Sequence, residues 1–461
     1  MALTNRRNMD LTQGSIVKQL TVFAIPLMLS NLFQSLYNTA DTLVVGRFVG
    51  STALAAVGST GALTGLFTSF FIGMGTGAGV IISQAVGRQD EEGLRKGVHT
   101  AVAMAILFGI GLGTLGALLS PLLLRFMGTP EDVLPEATLY LRINFIGLIT
   151  LTMYNITAGI LRAIGDSRRP FYYLLISGCT NMVLNVFFVV VCHMGVAGVS
   201  VATIISQALS AVLAMLNLMR AEGPYQLQLK KIRIDWSTFG SIARIGLPAG
   251  VQSMVISLSN IVIQSQINVF GSAAMAGHSA AGRIDMFTYM PMNAIALSTT
   301  TFVAQNLGAG KVKRARKGAM TAWIMANLVT IFVGGMACLF RNQLISLFTT
   351  DPEVHAFGVL SMTIRCATYF LFSGTDIMSG TIRGSGNGFV PMCISLVNMC
   401  ALRILWLMIA IPIWHEFWVV VVCYPLTWTL ASICYLVYYF SGAWLRSWRK
   451  RNPSIETAME E

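Results

Sequence analysis

Charge is scarce in this sequence. Asp, Glu, Lys and Arg make up 11% of its 461 residues, less than half of the roughly 25% usual in a soluble domain. With 55% hydrophobic residues and a mean hydropathy of +0.68, the chain has too little polar surface for a water-soluble globule. It reads as a polytopic membrane protein. Histidine is also sparse. Five scattered residues supply no cluster for acid–base or metal chemistry, which argues against a membrane-embedded enzyme and for no cofactor. The eight cysteines include no CxxC pair, so neither a disulfide framework nor a metal cluster is indicated. The first fifteen residues, MALTNRRNMDLTQGS, lack the apolar core of a signal peptide. Gly73, Gly75, Gly77 and Gly79 lack the following Lys-Ser/Thr of a phosphate loop and read as helix-packing positions.

What the chain does have is apolar runs of about 20 residues or more, the length that points to membrane helices rather than a barrel. Twelve spans are expected, near 17–45, 54–84, 97–121, 138–161, 171–192, 195–219, 241–269, 273–304, 318–340, 355–382, 388–413 and 417–443. Pro26, Pro248 and Pro291 fall inside spans and are candidate kinks. The net charge of +12 does not signal a nucleic-acid partner, because the basic residues sit in short loops. With the N-terminus inside, 24 of the 31 Lys and Arg lie on the inner side and three in outer loops. The other four, Arg142, Arg283, Arg365 and Arg403, are embedded. This asymmetry predicts both termini in the cytoplasm of a cell (inner or plasma) membrane. The basic run Lys311-x-Lys-Arg-x-Arg-Lys317 is such a topology signal and could also face anionic membrane lipid.

The two halves repeat. At an offset of 221, Gln84-Ala-Val-Gly87 meets Gln305-Asn-Leu-Gly308, and Gly159, Arg162, Gly165 and Pro170 meet Gly380, Arg383, Gly386 and Pro391. With a one-residue slip, Pro26 meets Pro248 and Asn38 meets Asn260. Six spans separate the copies, so the repeat is parallel. The expected organisation is all-α: twelve transmembrane helices in two pseudo-symmetric six-helix lobes around a central cleft. Residues 1–219 form the first lobe, 220–240 a cytoplasmic linker, 241–445 the second lobe and 446–461 a disordered cytoplasmic tail.

Carboxylates inside apolar spans are costly and are functional candidates by default. Asp41 is the first. Gln34, Tyr37, Asn38 and Asp41 are spaced three and four apart and share one helix face. The cheapest use of such a carboxylate is to exchange a proton or a small cation; the bland alternative is a structural hydrogen bond. Asn181 and Asn185, i and i+4 in the fifth span, could complete a polar pocket with it or bond between helices. In the seventh span, Asn260 and Gln264, with Met254 and Ser257 on the same face, are the counterpart and are expected to line the cleft with Gln34, Tyr37 and Asn38. The second lobe holds further charge candidates, Arg283, Asp285 and Asp376. Arg283 and Asp285 are too close in sequence to pair on a helix. Arg365 and Asp376 are three turns apart, with Arg403 a further partner. Buried structural pairing is the preferred reading there.

Pro26, Gln34-Ser-Leu-Tyr37-Asn38-Thr-Ala-Asp41, Gln84-Ala-Val-Gly87-Arg88 and Gly159-Ile-Leu-Arg162-Ala-Ile-Gly165-Asp166, with their second-half echoes, make the chain resemble the multidrug and toxic compound extrusion (MATE) family from about Thr12 to Gly442. The resemblance implies a secondary active antiporter. It would export amphiphilic, often cationic small molecules in exchange for protons or sodium by alternating access, as a monomer. In the branch similar to DinF-type members, a first-span Asp works with an Asn-x-x-x-Asp pair in span five and a Thr in span six. Asp41, Asn181 and Thr203 match these positions, but Asn185 stands where the second Asp would be. The other branch places a carboxylate eleven residues before the Arg of span ten, where this chain has Phe372. The alternative function is a flippase for a lipid-linked precursor, from the wider superfamily that MATE proteins resemble.

Overall fold

The computed structural model describes residues 9–49, 51–129, 131 and 133–453. Arg6, Arg7 and residues 454–461 of the expected tail lie outside the described residues. Each apolar run closes its own backbone hydrogen bonds as a helix, as a segment in hydrocarbon must, and no strand occurs among the described residues. The helices are α1 (Ile16–Phe48), α2 (Ser51–Arg88), α3 (Glu91–Phe126), α4 (Leu134–Ile146 and Leu148–Ala163), α5 (Arg168–Val191), α6 (Gly195–Met219), α7 (Trp236–Asn268), α8 (Ser272–Gly308), α9 (Val312–Leu339), α10 (Pro352–Gly384), α11 (Phe389–Ile413), α12 (Phe417–Phe440) and α13 (Ala443–Arg451). A six-residue helix, Arg341–Ser346, precedes α10. α1 to α12 are the twelve expected spans.

Ten of these helices are long and apolar enough to cross a membrane, and bent α4 makes eleven. The twelfth is α8, whose apolar character is diluted by His278, Arg283, Asp285 and the buried run Ser298 to Thr301. Leu118 on α3, Phe332 on α9 and Met408 on α11 are each about 70% exposed. Apolar side chains so bare on the faces of long apolar helices fit hydrocarbon rather than water.

The prolines expected as kinks, Pro26, Pro248 and Pro291, sit in continuous helix. The broken span is α4, bent by 42° at Gly147. A Cβ there would stand 2.3 Å from Ile204 Cγ1, so the bend brings α4 against α6 at a separation that glycine permits. The tail is a second departure. Residues 443–451 are helical, with Trp444, Leu445 and Trp448 buried and the Trp444 ring stacked on Tyr439 at 5.4 Å. The i, i+1, i+4 spacing of those apolar residues is an amphipathic signal outweighed, in a reading by charge, by Arg446, Arg449, Lys450 and Arg451.

The chain forms two compact units, Met1–Asp10 with Leu29–Gly250, and Leu11–Met28 with Val251–Glu461. The division falls inside α1 after Met28 and inside α7 after Gly250, each two residues beyond a repeat-related proline, Pro26 or Pro248. The stretch 220–240 is part of the first unit. Tyr225 and Leu227 are buried in its core, and the amides of Gln228 and Asp235 donate to His99 Nε2 (3.2 Å) and Thr100 Oγ1 (3.1 Å) on α3. Asp235 starts α7 by accepting from Ser237 Oγ (2.6 Å) and Thr238 N (2.9 Å). Those bonds, that from Ser237 foremost, hold its carboxyl below the usual carboxylate range. In the second unit the corresponding clamp grips the segment before α1. Leu11 N donates to Gln305 Oε1 (3.3 Å), Asn306 Nδ2 to Leu11 O (3.1 Å), and Lys311 Nζ to Thr12 O (3.0 Å). Gln305-Asn306 is thus a repeat motif with a packing role.

The alternating glycines of α2 resolve into two i, i+4 pairs on two faces. A Cβ on Gly73 would stand 2.2 Å from Gly250 N, and one on Gly77 2.6 Å from Gly246 N, so α2 meets the first part of α7 backbone to backbone. Gly75 and Gly79 face Asn155 O and Gly159 O of α4. Neither backbone can retreat without moving a whole helix. Gly73→Ala is therefore expected to destabilise the protein by at least about 1–3 kcal/mol, the usual cost of overpacking, seen as a lower Tm in detergent. Gly61→Ala on the same helix, where a Cβ meets nothing within 4 Å, should leave Tm unchanged.

Candidate functional site

In the first unit, Tyr37 and Asp41 are one helical turn apart on α1, and Asn181 and Asn185 one turn apart on α5. The two rungs meet level for level. Asn181 Nδ2 donates to Tyr37 Oη at 3.3 Å, and Asn185 Nδ2 donates to Asp41 Oδ1. Asn185 Nδ2 also donates to Asn181 Oδ1 at 2.8 Å, which ties the α5 pair together. Thr203 on α6 closes the group, accepting from Asn181 Nδ2 at 3.4 Å while donating to its own helix at Val199 O. Both asparagines are fully buried. Immediately after Asn185 the helix widens into a π-helical stretch, Phe187–Val191, a distortion often found at functional sites.

The donor count leaves one atom over. Asn185 Oδ1 is buried and has no hydrogen-bond partner among the described residues. A buried orphan amide oxygen costs about 1–3 kcal/mol, and here it lies on the residue that bonds the Asp41 carboxylate. One carboxylate, amide oxygens and the hydroxyls of Tyr37 and Thr203 form a hard, oxygen-rich set. Such a set can hold a proton or a small cation.

The other expected site residues are distributed differently. Tyr37, expected in a cleft, belongs to the Asp41 group. Gln34 and Asn38 are exposed on the same helix. In the second unit Asn260 accepts from Arg403 Nη1 at 3.2 Å, Gln264 Nε2 donates to Asn268 Oδ1 at 2.9 Å, and Ser257 Oγ bonds its own helix at Ser253 O. Met254 is half-buried.

Arg283 does not join the second-unit charges; it is exposed on α8. The cation beside Asp285 is Arg365, with Nε 2.7 Å from Asp285 Oδ2, and Cys366 Sγ donates to Asp285 Oδ1 at 3.1 Å. Arg365 lies over the Tyr424 ring at 4.6 Å, and Arg403 over the same ring at 5.0 Å. Arg403, 2% exposed, is held by Ser259, Asn260 and Thr427. Asp376 sits instead near Asn293, which bonds Tyr289 Oη at 3.0 Å. His278 packs on Ser361 and Tyr424. Spacing along one helix could not reveal the Asp285–Arg365 pair, because its members come from α8 and α10.

Comparison with known proteins bears on the repeat and the fold. The family model described as MatE matches residues 26–187 and 248–409, two stretches of equal length that coincide with the repeat. The chain is 32% identical over 398 residues to the probable multidrug resistance protein YpnP of Bacillus subtilis (strain 168), covering 86% of this chain and 88% of that one. It is 28% identical to the probable multidrug resistance protein NorM of Thermotoga maritima, covering 84% of each. Its fold matches a solved structure described as the outward-facing conformation of a multidrug resistance MATE family transporter. The TM-score is 0.88 at 21% identity, covering 98% of this chain and 99% of that chain.

Proposed function

Because the chain belongs to the MatE family, we propose that it is a secondary active antiporter that exports amphiphilic, cationic organic compounds in exchange for protons or sodium. It would work by alternating access, as a monomer in a bacterial inner membrane with both termini in the cytoplasm. The observation that carries this reading is the Asp41 carboxylate, bonded by an asparagine whose own oxygen is buried without a partner among the described residues.

The chemistry runs through the Asn185–Asp41 bond. A hydrogen bond to an ionised carboxylate is roughly twice as strong as a neutral one. A proton or cation arriving at Asp41 weakens that bond and competes for Tyr37 and Thr203, so the tie between α1, α5 and α6 changes with the ion. A closed or bent first lobe is then favoured and substrate is expelled. The second unit's Asp285 is matched by Arg365 and is read as structural pairing.

The test is efflux of a fluorescent organic cation from proteoliposomes, with a proton gradient and a sodium gradient imposed separately. Efflux driven by one of them supports the antiporter and identifies its ion. No efflux under either gradient, together with binding of a polyprenyl-phosphate ligand, would replace it with the lipid flippase. A further expectation concerns Asn185. Asn185→Leu removes both the donor to Asp41 and the orphan oxygen. Hydrogen bonds to charged groups contribute about 1.5–3 kcal/mol, so the half-saturating concentration of the coupling ion should shift by roughly tenfold or more: downward for a proton, because the lost bond favoured the bare carboxylate, and upward for sodium, which loses the amide oxygen as a ligand. An unchanged ion dependence would remove Asn185 from the site.

A further inference from the structure

Away from the buried groups, the second unit holds a cavity of about 720 Å³ between the start of α9 and the turn from α12 into α13. Its wall includes Lys311, Lys313, Arg314, Arg316, Arg446 and Arg449, and no carboxylate among the described residues lines it. Some of these cations also bond within the chain, among them Arg446, whose Nη2 donates to Ser441 O at 3.3 Å. Lys311 bonds Thr12, and Arg314 bonds Gln13 O and Gln19 Oε1 while lying over the Phe302 ring. Lys313 and Arg316 are exposed on α9, and Arg446 and Arg449 are exposed on α13. The Arg316 guanidinium lies beside Gly442, whose left-handed backbone (φ 70°) turns the chain from α12 into α13 at the cavity wall.

Like charges from two helices are held around one open space, an arrangement that favours an anion there. We propose that this cavity is a binding site for phosphate groups, with the headgroup of an acidic phospholipid as the favoured source. Guanidinium and ammonium groups are the usual partners of phosphate, arginine through two parallel N–H donors. α13 argues for the lipid source. It follows the last membrane-spanning helix directly, packs Trp444, Leu445 and Trp448 against the protein and leaves its basic residues on the outer side, at the level of the headgroups. Basic clusters beside the last helix of a membrane protein are suited to anionic headgroups, each residue contributing about a fivefold gain in affinity.

The experiment uses the full chain purified in detergent and scored by native mass spectrometry after incubation with phosphatidylglycerol, phosphatidylcholine or inorganic phosphate. Two charge-matched double variants are compared. Lys313→Gln/Arg446→Gln removes two cations from the wall. Lys317→Gln/Lys450→Gln removes two nearby cations that do not line it. The wild type and the control should retain phosphatidylglycerol in preference to phosphatidylcholine, and the wall variant should retain it roughly tenfold less or lower. Displacement of the lipid by millimolar inorganic phosphate would assign the same site to a soluble phosphate compound. Equal losses in both variants would reduce the effect to general surface charge and overturn the proposal, as would retention unchanged in the wall variant. A size-exclusion profile matching wild type separates either result from misfolding.

Discussion

Asp41→Asn is expected to abolish gradient-driven efflux, leaving only the passive leak of the vesicle, while the protein stays folded. The amide is isosteric with the carboxylate and can still meet Asn185 and Thr203 by hydrogen bonds, but it can neither carry a proton at neutral pH nor attract a cation. Coupling between two ligands on one transporter is typically worth about 1–3 kcal/mol, a change of roughly 5- to 150-fold in the affinity of one when the other is bound. In the wild type, substrate affinity should therefore differ by that order between ion-loaded and ion-free conditions. In Asp41→Asn the two affinities should coincide. Substrate Kd measured by fluorescence in the presence and absence of the ion reads this directly. Efflux that survives the substitution would move the coupling site to Asp285 or Asp376.

The largest expected effect on stability lies in the second unit. Asp285 is 2% exposed at its side chain and Arg365 12%, at a separation of 2.7 Å. Removing one member of a buried pair costs about 3–5 kcal/mol, because the other charge is left uncompensated. The two removals are not equivalent here. An orphaned carboxylate can take up a proton and become neutral, whereas an arginine cannot lose one. Asp285→Leu, which leaves Arg365 and Arg403 together over the Tyr424 ring, should be the more damaging. Arg365→Met should cost less, and Asp285→Leu/Arg365→Met should recover most of the lost stability. Thermal unfolding in detergent checks the order, and a double variant no more stable than Asp285→Leu would show that the pair does more than neutralise itself.

How much of this was legible in the residues depended on the range of the interaction. The twelve spans follow from apolar run length, and their ends fall within a few residues of the observed helices. α8 was legible as an apolar segment although its polar residues dilute it. The Asp41 group was legible in its members, since Tyr37 with Asp41 and Asn181 with Asn185 each announce a face by i, i+4 spacing. The hydrogen bonds between those faces depend on where α1 and α5 meet, which no local pattern encodes. The same limit hid the Asp285–Arg365 pair. The break in α4 rests on Gly147 and its neighbour Ile204, a contact visible only in three dimensions.

The assignment of Leu29–Gly250 to one unit has a consequence for how the protein is made. Gly73 and Gly77 of α2 are covered by Gly246 and Gly250, so that groove stays open while the ribosome adds the next 170 or so residues, whatever else has already entered the bilayer. The first six spans are thus an unfinished object at the moment their last helix is inserted. A nascent chain stalled at residue 219 would expose a glycine-lined slot to any passing helix, and one stalled only after Gly250 has left the ribosome and entered the bilayer would not. Expressed as two separate polypeptides, the protein would for the same reason assemble better with α7 left whole on the first of them than with a cut at the repeat boundary.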